Sequence, residues 1–489
     1  MKVETKQVTS AVKWSLITEV IVKLISPITN MILARLLVPE AFGIIASITM
    51  ITTFADMFTD AGFQKYIVQH QFSDHDDQDR YVSVAFWSNF VLSCFLYLVI
   101  FFTADKLAVL SGIAGYGNVI RIYSVILLLT SFSSIQYAVY KKKFQYKKLG
   151  IIRVTVKLIP LVVTVPLTLW TRSFWALVIG NLTGEAVAAV VLMLWSDQRI
   201  KFFYSFSDLK KMFSFCGGSM LETISSWLVS NVSVLIIGQY LGSYYLGLYK
   251  TSITTVNQVI SIITASTMSV LFATLSQEQD DDSAFRKTIA TFQRSMGLFT
   301  VPLGVGILVF RKFITLVLLG GQWSEAAIFV GLWGFVMCES VIFADIGSYS
   351  MVAKGRPVFV FMSNMIQAVL LSIVLYAIRD RSFVVLAFSS FIVRWQLTAT
   401  HYGLATKVSG LKMKDLPKEL GIYLFAAVIM GVSGWLLLSI IGNSILESLV
   451  ATIVCVIIYF VILLAFKRTR EQILGLVGTL KSKLNRSQA

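Results

Sequence analysis

Residues 34–47 read ARLLVPEAFGIIAS, and residues 238–251 read GQYLGSYYLGLYKT. A constant offset of 204 positions carries Leu37 onto Leu241 and Gly43 onto Gly247, and each stretch reads as a tight turn between two apolar helices. The same offset carries the apolar run near residue 81 onto the run near 285. Two copies of a six-helix unit, followed by two extra helices, account for the whole pattern. Six is even, so both copies enter the membrane from one side, and the axis relating them lies along the membrane normal.

The solvent follows from composition. A chain of 489 residues that is 56% hydrophobic and 14% charged, with long apolar runs between short polar breaks, is a polytopic membrane protein and not a water-soluble globule. Crossing a bilayer takes about 20 apolar residues, and about fourteen runs qualify. The first half holds 14–37, 42–64, 81–103, 119–139, 151–171 and 173–195. The remainder are 213–237, 250–275, 285–310, 325–351, 357–378, 382–405, 418–441 and 446–466. The expected fold is all-α, with a first six-helix lobe over 1–212, a second over 213–410, and two additional helices with a basic tail over 411–489. The run after MKVETKQVTSAVK has no small-residue cleavage site and is long enough to stay as a span. Cys94, Cys216, Cys338 and Cys455 all lie in apolar runs without paired or metal-ligand spacing, so they read as small core hydrophobes.

An even number of spans puts both termini on one side. With that side cytoplasmic, the opposite loops hold only Lys106, Arg172, Arg311, Lys312, Arg379 and Arg381, which satisfies the positive-inside rule. The asymmetry explains the net charge of +16 without a nucleic-acid partner. YKKKFQYKKL (140–149) and KRTR (467–470) read as topology determinants that touch anionic membrane lipid. SDHDDQD (73–79) reads as a solvated turn, not a metal site.

Charge inside the spans is the clearest functional signal. The run WSLITEVIVKLISPITN (14–30) carries Glu19 and Lys23 near its middle, where each alone costs roughly 2.5–3.5 kcal/mol. They stand four apart with the acid first, the favourable order for a helical ion pair. The 204 offset matches Ser15, Thr18, Glu19, Ser26 and Thr29 to Ser219, Glu222, Thr223, Ser230 and Ser233, a one-sided polar stripe in each repeat. A span exposed to lipid all round has no use for such a stripe, whereas one lining a hydrated cavity needs it. Two readings of Glu19 and Lys23 stay open: a structural pair, or a cavity-lining pair that meets substrate or a coupling ion.

Lys157, Glu185, Arg294, Glu339 and Arg394 are also deep in expected spans. Arg294 and Arg394 either contact an anionic substrate, which guanidinium matches bidentately, or pair with Glu339 or Glu222. Lys157 lies nearer the cytoplasmic end and can snorkel. The candidate substrate-binding set is Lys23, Arg294, Arg394, Glu19, Glu222 and Asn30, with Pro27 a candidate hinge because proline frees a backbone carbonyl and permits a bend.

The chain has no GxxxxGK[ST], GxGxxG after a strand, HExxH or GxSxG, and its connecting loops are short. Transport is expected and not catalysis, with no cofactor and no metal. Energy then comes from an ion gradient, the membrane potential or the substrate gradient, and a coupled proton falls to carboxylates such as Glu19 or Glu222.

KWSLITEVIVKLISPITNMILARLLVPEAFGIIA, followed by FADMFTDAGFQKYIVQ, resembles the opening of the polysaccharide transporter family within the multidrug/oligosaccharidyl-lipid/polysaccharide (MOP) flippase superfamily. The matching elements are Lys13 to Ser15, Ala34 to Gly43, and Asp60 to Gln69; YAVYKKKFQYKKLGIIRV is similar to the basic segment of the colanic-acid and teichuronic-acid exporter branch. The resemblance implies a flippase that turns an oligosaccharide repeat unit on undecaprenyl diphosphate to the outer leaflet of the cytoplasmic membrane by alternating access. It also implies basic residues in a central cavity, an H+ or Na+ coupling ion, and a polysaccharide polymerase as partner. The alternative is a small-molecule or drug exporter of the same superfamily, for which the deep arginines are ill suited.

Overall fold

In the computed structural model, residues 5–60, 62–196, 198, 200–410 and 416–475 are described, with side chains described for these except 5–13, 15, 16, 20, 60, 214–222, 265 and 266. All regular structure among the described residues is helical, as a bilayer demands of backbone that cannot hydrogen-bond to lipid. The first half runs α1 (Thr5–Leu36), α2 (Pro39–Asp60), α3 (Phe63–Gln69), α4 (His75–Leu110), α5 (Gly117–Tyr123), α6 (Ile126–Lys142), α7 (Tyr146–Ile159), α8 (Val165–Thr171) and α9 (Trp175–Trp195). The rest runs α10 (Phe206–Gln277), α11 (Asp282–Val309), α12 (Arg311–Leu318), α13 (Ala327–Ser340), α14 (Ile346–Ala353), α15 (Pro357–Ala377), α16 (Phe383–Ser409), α17 (Lys418–Ile441) and α18 (Ile445–Ala465). A π-helical turn at Pro160–Thr164 joins α7 to α8, and another at Val341–Asp345 joins α13 to α14.

Polar residues mark where helices begin. Asp74 caps α4 by accepting from Asp77 N, so the acidic SDHDDQD stretch is a helix start. Asp281 caps α11, and Ser444 with Glu447 forms a capping box on α18.

Thirteen helices among the described residues are long and apolar enough to cross a membrane. One fewer than the sequence suggests follows from α10, whose apolar window Thr223–Thr264 is 42 residues long. At about 1.5 Å per residue this is roughly twice the ~30 Å hydrocarbon core. Gly242 breaks it with φ 86° and ψ 174°, a conformation glycine adopts without a Cβ clash. The expected spans 213–237 and 250–275 therefore share one helix interrupted at Gly242.

The helices gather into two compact units, residues 1–262 with 364–383, and residues 263–363 with 384–489. In the first, α1 packs on α7, and α6 lies against α4 and α9. Its core joins Phe63 and Ile67 to Val82, Phe86, Ile135 and Val139. In the second, α11 packs along α13 and α17, and α17 on α18. Buried Tyr423 and Tyr459 anchor that core, their hydroxyls donating to Gln472 Oε1 and the Leu298 carbonyl. A buried tyrosine without such a partner would leave a costly unsatisfied polar group.

Candidate functional site

A cavity of about 410 Å³ opens in the first unit between α1, α6, α7 and α9. Such a volume falls in the usual range for ligand clefts, about 300–1,000 Å³. Its charged lining is Lys141 from α6, Arg153 and Lys157 from α7, and Glu185 from α9, with Tyr137, Tyr146 and Gln64 beside them. Leu149, Arg153 and Val156 follow the 3/4 spacing of one helical face, so a single side of α7 supplies most of the wall.

Small residues let α1 approach that wall. Gly150 faces Thr18, leaving no room for a Cβ, and Thr18 is 3% exposed. At this separation Glu19 reaches across and accepts from Arg153 Nη2 at 2.9 Å. This corrects the pairing read from spacing: the carboxylate takes the guanidinium of another helix, whose planar fork matches it, in preference to Lys23 four residues on. Among the described residues Lys23, Lys141, Lys157 and Glu185 have no ion pair, and Glu185 has no hydrogen bond. The cavity thus presents two ammonium groups without an ion pair among the described residues, one of which, Lys157, acts electrostatically on Glu185, and an arginine whose charge is shared with Glu19.

The other candidates disperse. Asn30 donates to Gln258 Oε1 at 3.1 Å, tying α1 to α10 within the first unit. Pro27 lies inside α1, which continues through it. The Glu222 side chain lies outside the described residues. In the second unit Arg294 pairs at 3.8 Å with Glu419 of α17, a carboxylate at the start of the thirteenth expected span. Arg394 stands 5.9 Å above the Trp333 ring and acts electrostatically on Glu339 and Asp345. Glu339 itself accepts from Thr398 at 3.2 Å.

Lys141 and Arg153 escaped the sequence reading: Lys141 sits in the basic stretch assigned to topology, and Arg153 stands at the start of the expected span 151–171. The available signal was the i, i+4 placement of Arg153 and Lys157 on an otherwise apolar helix, with Glu185 as the deep acid one span later.

The polysaccharide biosynthesis protein family has a model that matches residues 32–328. The chain belongs to that family. The matched segment of this polysaccharide biosynthesis protein contains Lys141, Arg153, Lys157 and Glu185. It is 25% identical over 330 residues to the succinoglycan biosynthesis transport protein ExoT of Rhizobium meliloti, covering 68% of this chain and 66% of that one, just under two thirds of ExoT. It is 22% identical over 368 residues to the teichuronic acid biosynthesis protein TuaB of Bacillus subtilis, covering 72% of each. The lipopolysaccharide biosynthesis protein WzxC of Escherichia coli is 22% identical over 371 residues, with 74% of this chain and 73% of WzxC covered.

Among solved structures, the lipid II flippase MurJ in an inward closed conformation superposes with a TM-score of 0.73 at 12% identity, over 94% of this chain and 99% of that one. An inward-facing multidrug resistance MATE transporter of the MOP superfamily superposes at 0.58 and 10% identity, over 80% and 94%. At such identities the likeness is one of fold: this polysaccharide biosynthesis protein is a multi-pass membrane protein with the MOP transporter architecture.

Proposed function

We propose that this polysaccharide biosynthesis protein is a flippase that moves oligosaccharide repeat units linked to undecaprenyl diphosphate across the cytoplasmic membrane. The observation that supports this reading best is the Lys141–Arg153–Lys157 cavity. A diphosphate offers several charged oxygens, and three cations converging on one cleft match that chemistry. The volume suits the diphosphate and the adjoining sugar, with the rest of the glycan and the lipid tail outside.

In this reading both termini are cytoplasmic, and the cavity, which takes Lys141 from the end of α6 and Tyr146 from the start of α7, is loaded from that side. The lobes 1–212 and 213–410 alternate access while 411–489 supplies two further spans. Lys23 extends the cationic path along α1, Glu19 holds Arg153 until substrate arrives, and Asn30 lines the route, with Pro27 as the bend of α1. An H+ or Na+ gradient drives the cycle, and a polysaccharide polymerase receives the product.

The test is flipping of a fluorescent undecaprenyl-diphosphate oligosaccharide in proteoliposomes, scored with an impermeant glycan-cleaving reagent. Flipping by the wild type that falls in Lys157→Ala and Arg153→Ala supports the reading. Absence of flipping with several glycans, together with efflux of a fluorescent cation, would replace it with the drug-exporter alternative.

A further inference from the structure

Two distant stretches of the first unit bring tyrosines together at the break in α10. Around Gly242 the sequence reads QYLGSYY (239–245), and at the end of α15 it reads YAIRDRSF (376–383). The rings of Tyr240 and Tyr376 meet edge to face, with centroids 6.0 Å apart and planes at 80°. Aromatic quadrupoles favour that arrangement, so the two rings hold a corner open between them. Arg379 lies over both, 4.4 Å from the Tyr376 centroid and 5.6 Å from that of Tyr240. Its Nη1 donates to the Tyr376 carbonyl at 3.1 Å, and its Nε stands 3.7 Å from Asp380 Oδ2. Beyond Gly242, Tyr244 makes a second perpendicular contact, 5.3 Å from Tyr245, which in turn stacks on Phe383 at 5.6 Å.

What holds these rings does not bury them. Tyr376 is 53% exposed and Tyr240 42%, and Tyr244 is exposed as well. The Asp380 side chain is 83% exposed, which sets the cluster at the level of water, since a carboxylate facing lipid is costly. A Cβ on Gly242 would meet nothing within 4 Å, so the space over the bend between Tyr240 and Tyr244 is open. Four residues of chain span at most ~14 Å, so one extended molecule can touch both rings.

That combination suits a sugar. A pyranose carries hydroxyls around its rim and C–H groups on its faces, and the electron-rich face of an aromatic ring attracts those C–H groups. Tyrosine supplies such a face with only two torsions to freeze. A carboxylate accepts from hydroxyls and a guanidinium donates to their oxygens, so Asp380 and Arg379 meet both halves of a diol. An interfacial belt also places tyrosines at this level. It has no need of perpendicular rings with a guanidinium and a carboxylate held against them.

We propose that Tyr240, Tyr376, Arg379 and Asp380, with Tyr244 beyond the bend, form a saccharide-binding site on the outer face that takes the glycan of the carried lipid as it leaves the protein. The inference rests on the flippase reading and on cytoplasmic termini, which put the α10 break and residues 376–383 on the outer side. Its ligand is the sugar, whereas the Lys141–Arg153–Lys157 cavity is matched to the diphosphate.

Binding is read first, with cellohexaose and maltohexaose as probes and the protein in lipid nanodiscs. Saturation-transfer NMR should show contact with pyranose C–H protons in the wild type and in Tyr240→Phe with Tyr376→Phe, which keeps the ring faces. Tyr240→Leu with Tyr376→Leu keeps apolar bulk without the rings and should weaken binding at least about tenfold, the loss of two stacking contacts. Undiminished binding in that variant, or in Asp380→Ala should the leucine variant not fold, overturns the site. So does the absence of transfer from the wild type to either probe. Flipping is read second, as the ratio of initial rates for undecaprenyl diphosphate bearing a hexasaccharide and bearing a single glucose. The leucine variant should lower this ratio at least about threefold relative to the wild type. An unchanged ratio leaves the tyrosines as a membrane belt and overturns the proposal. A wild type that flips neither substrate, with ring-dependent binding intact, would instead count against the flippase reading alone.

Discussion

Glu19 accepts a hydrogen bond at 2.9 Å from Arg153, a residue 134 positions away on another helix, although Lys23 stands one turn along its own. The pair is about two-fifths exposed, at 43% for Arg153 and 40% for Glu19. Its direct contribution to stability is therefore that of a screened pair, below about 1 kcal/mol. Glu19→Gln should leave the melting temperature of the purified protein almost unchanged. Arg153→Ala and Lys157→Ala should each lower flipping at least about tenfold, while Glu19→Gln retains it, because only the cations meet the anion. Equal losses from all three variants, measured as initial rates in proteoliposomes, would show that the ion pair itself is required.

Exchanging the two charges of α1 tests the same geometry. In the double variant Glu19→Lys with Lys23→Glu, an ammonium sits beside Arg153 and the acid is moved one turn away. A helix-internal pair would survive this exchange, whereas a pair with Arg153 becomes a like-charge contact. The exchange should reduce thermal stability more than Lys23→Ala does, as read by detergent melting curves.

The start of α18 depends on its capping box, in which Ser444 Oγ accepts from Glu447 N and Glu447 Oε2 accepts from Ser444 N. Ser444→Ala removes one half and should cost about 1 kcal/mol, within the usual 0.5–2 for a lost cap. Ser444→Asp should recover most of that loss. No recovery in chemical denaturation would mean the cap is not the cause.

Tyr459 is 1% exposed and its hydroxyl donates to the Leu298 carbonyl at 3.0 Å. Tyr459→Phe keeps the ring and strands the carbonyl, which should cost about 1–3 kcal/mol. Tyr459→Ala also opens a cavity beside Phe460, Met430 and Cys455 and should cost about 3–5 kcal/mol. A ratio near one between the two losses would place the stabilisation in the hydroxyl.

The linker before α10 is clasped to the start of α4 by Lys201, whose Nζ lies 2.9 Å from Asp76 and 3.0 Å from Asp79. Hydrogen bonds to these acids hold its ammonium above the ordinary lysine value. A group raised in this way contributes fully below its unfolded value, near about 10.4, and loses that contribution as pH climbs through the raised one. The clasp should therefore persist throughout the neutral range. In the variant Asp76→Asn with Asp79→Asn, the titration midpoint of 13C-methylated Lys201 followed by NMR should drop toward the ordinary value; an unmoved midpoint would exclude the acids as its cause.

Hydropathy and periodicity are local properties, so the sequence by itself determined the membrane class and where most of the spans run. The turns at Pro39 and Gly242 follow from the same local logic, and the repeat named Gly43 and Gly247 as equivalents. Partners across helices are a different matter. A span fixes its own axis and length, but its rotation and depth relative to a neighbour come from close packing, here Thr18 against Gly150 and Gly43 against the Ser243 carbonyl. The first of these approaches, α1 against α7, is the one that lets Glu19 meet Arg153 beside the cavity. The second brings two stretches matched in sequence, around Gly43 and Gly247, into physical contact.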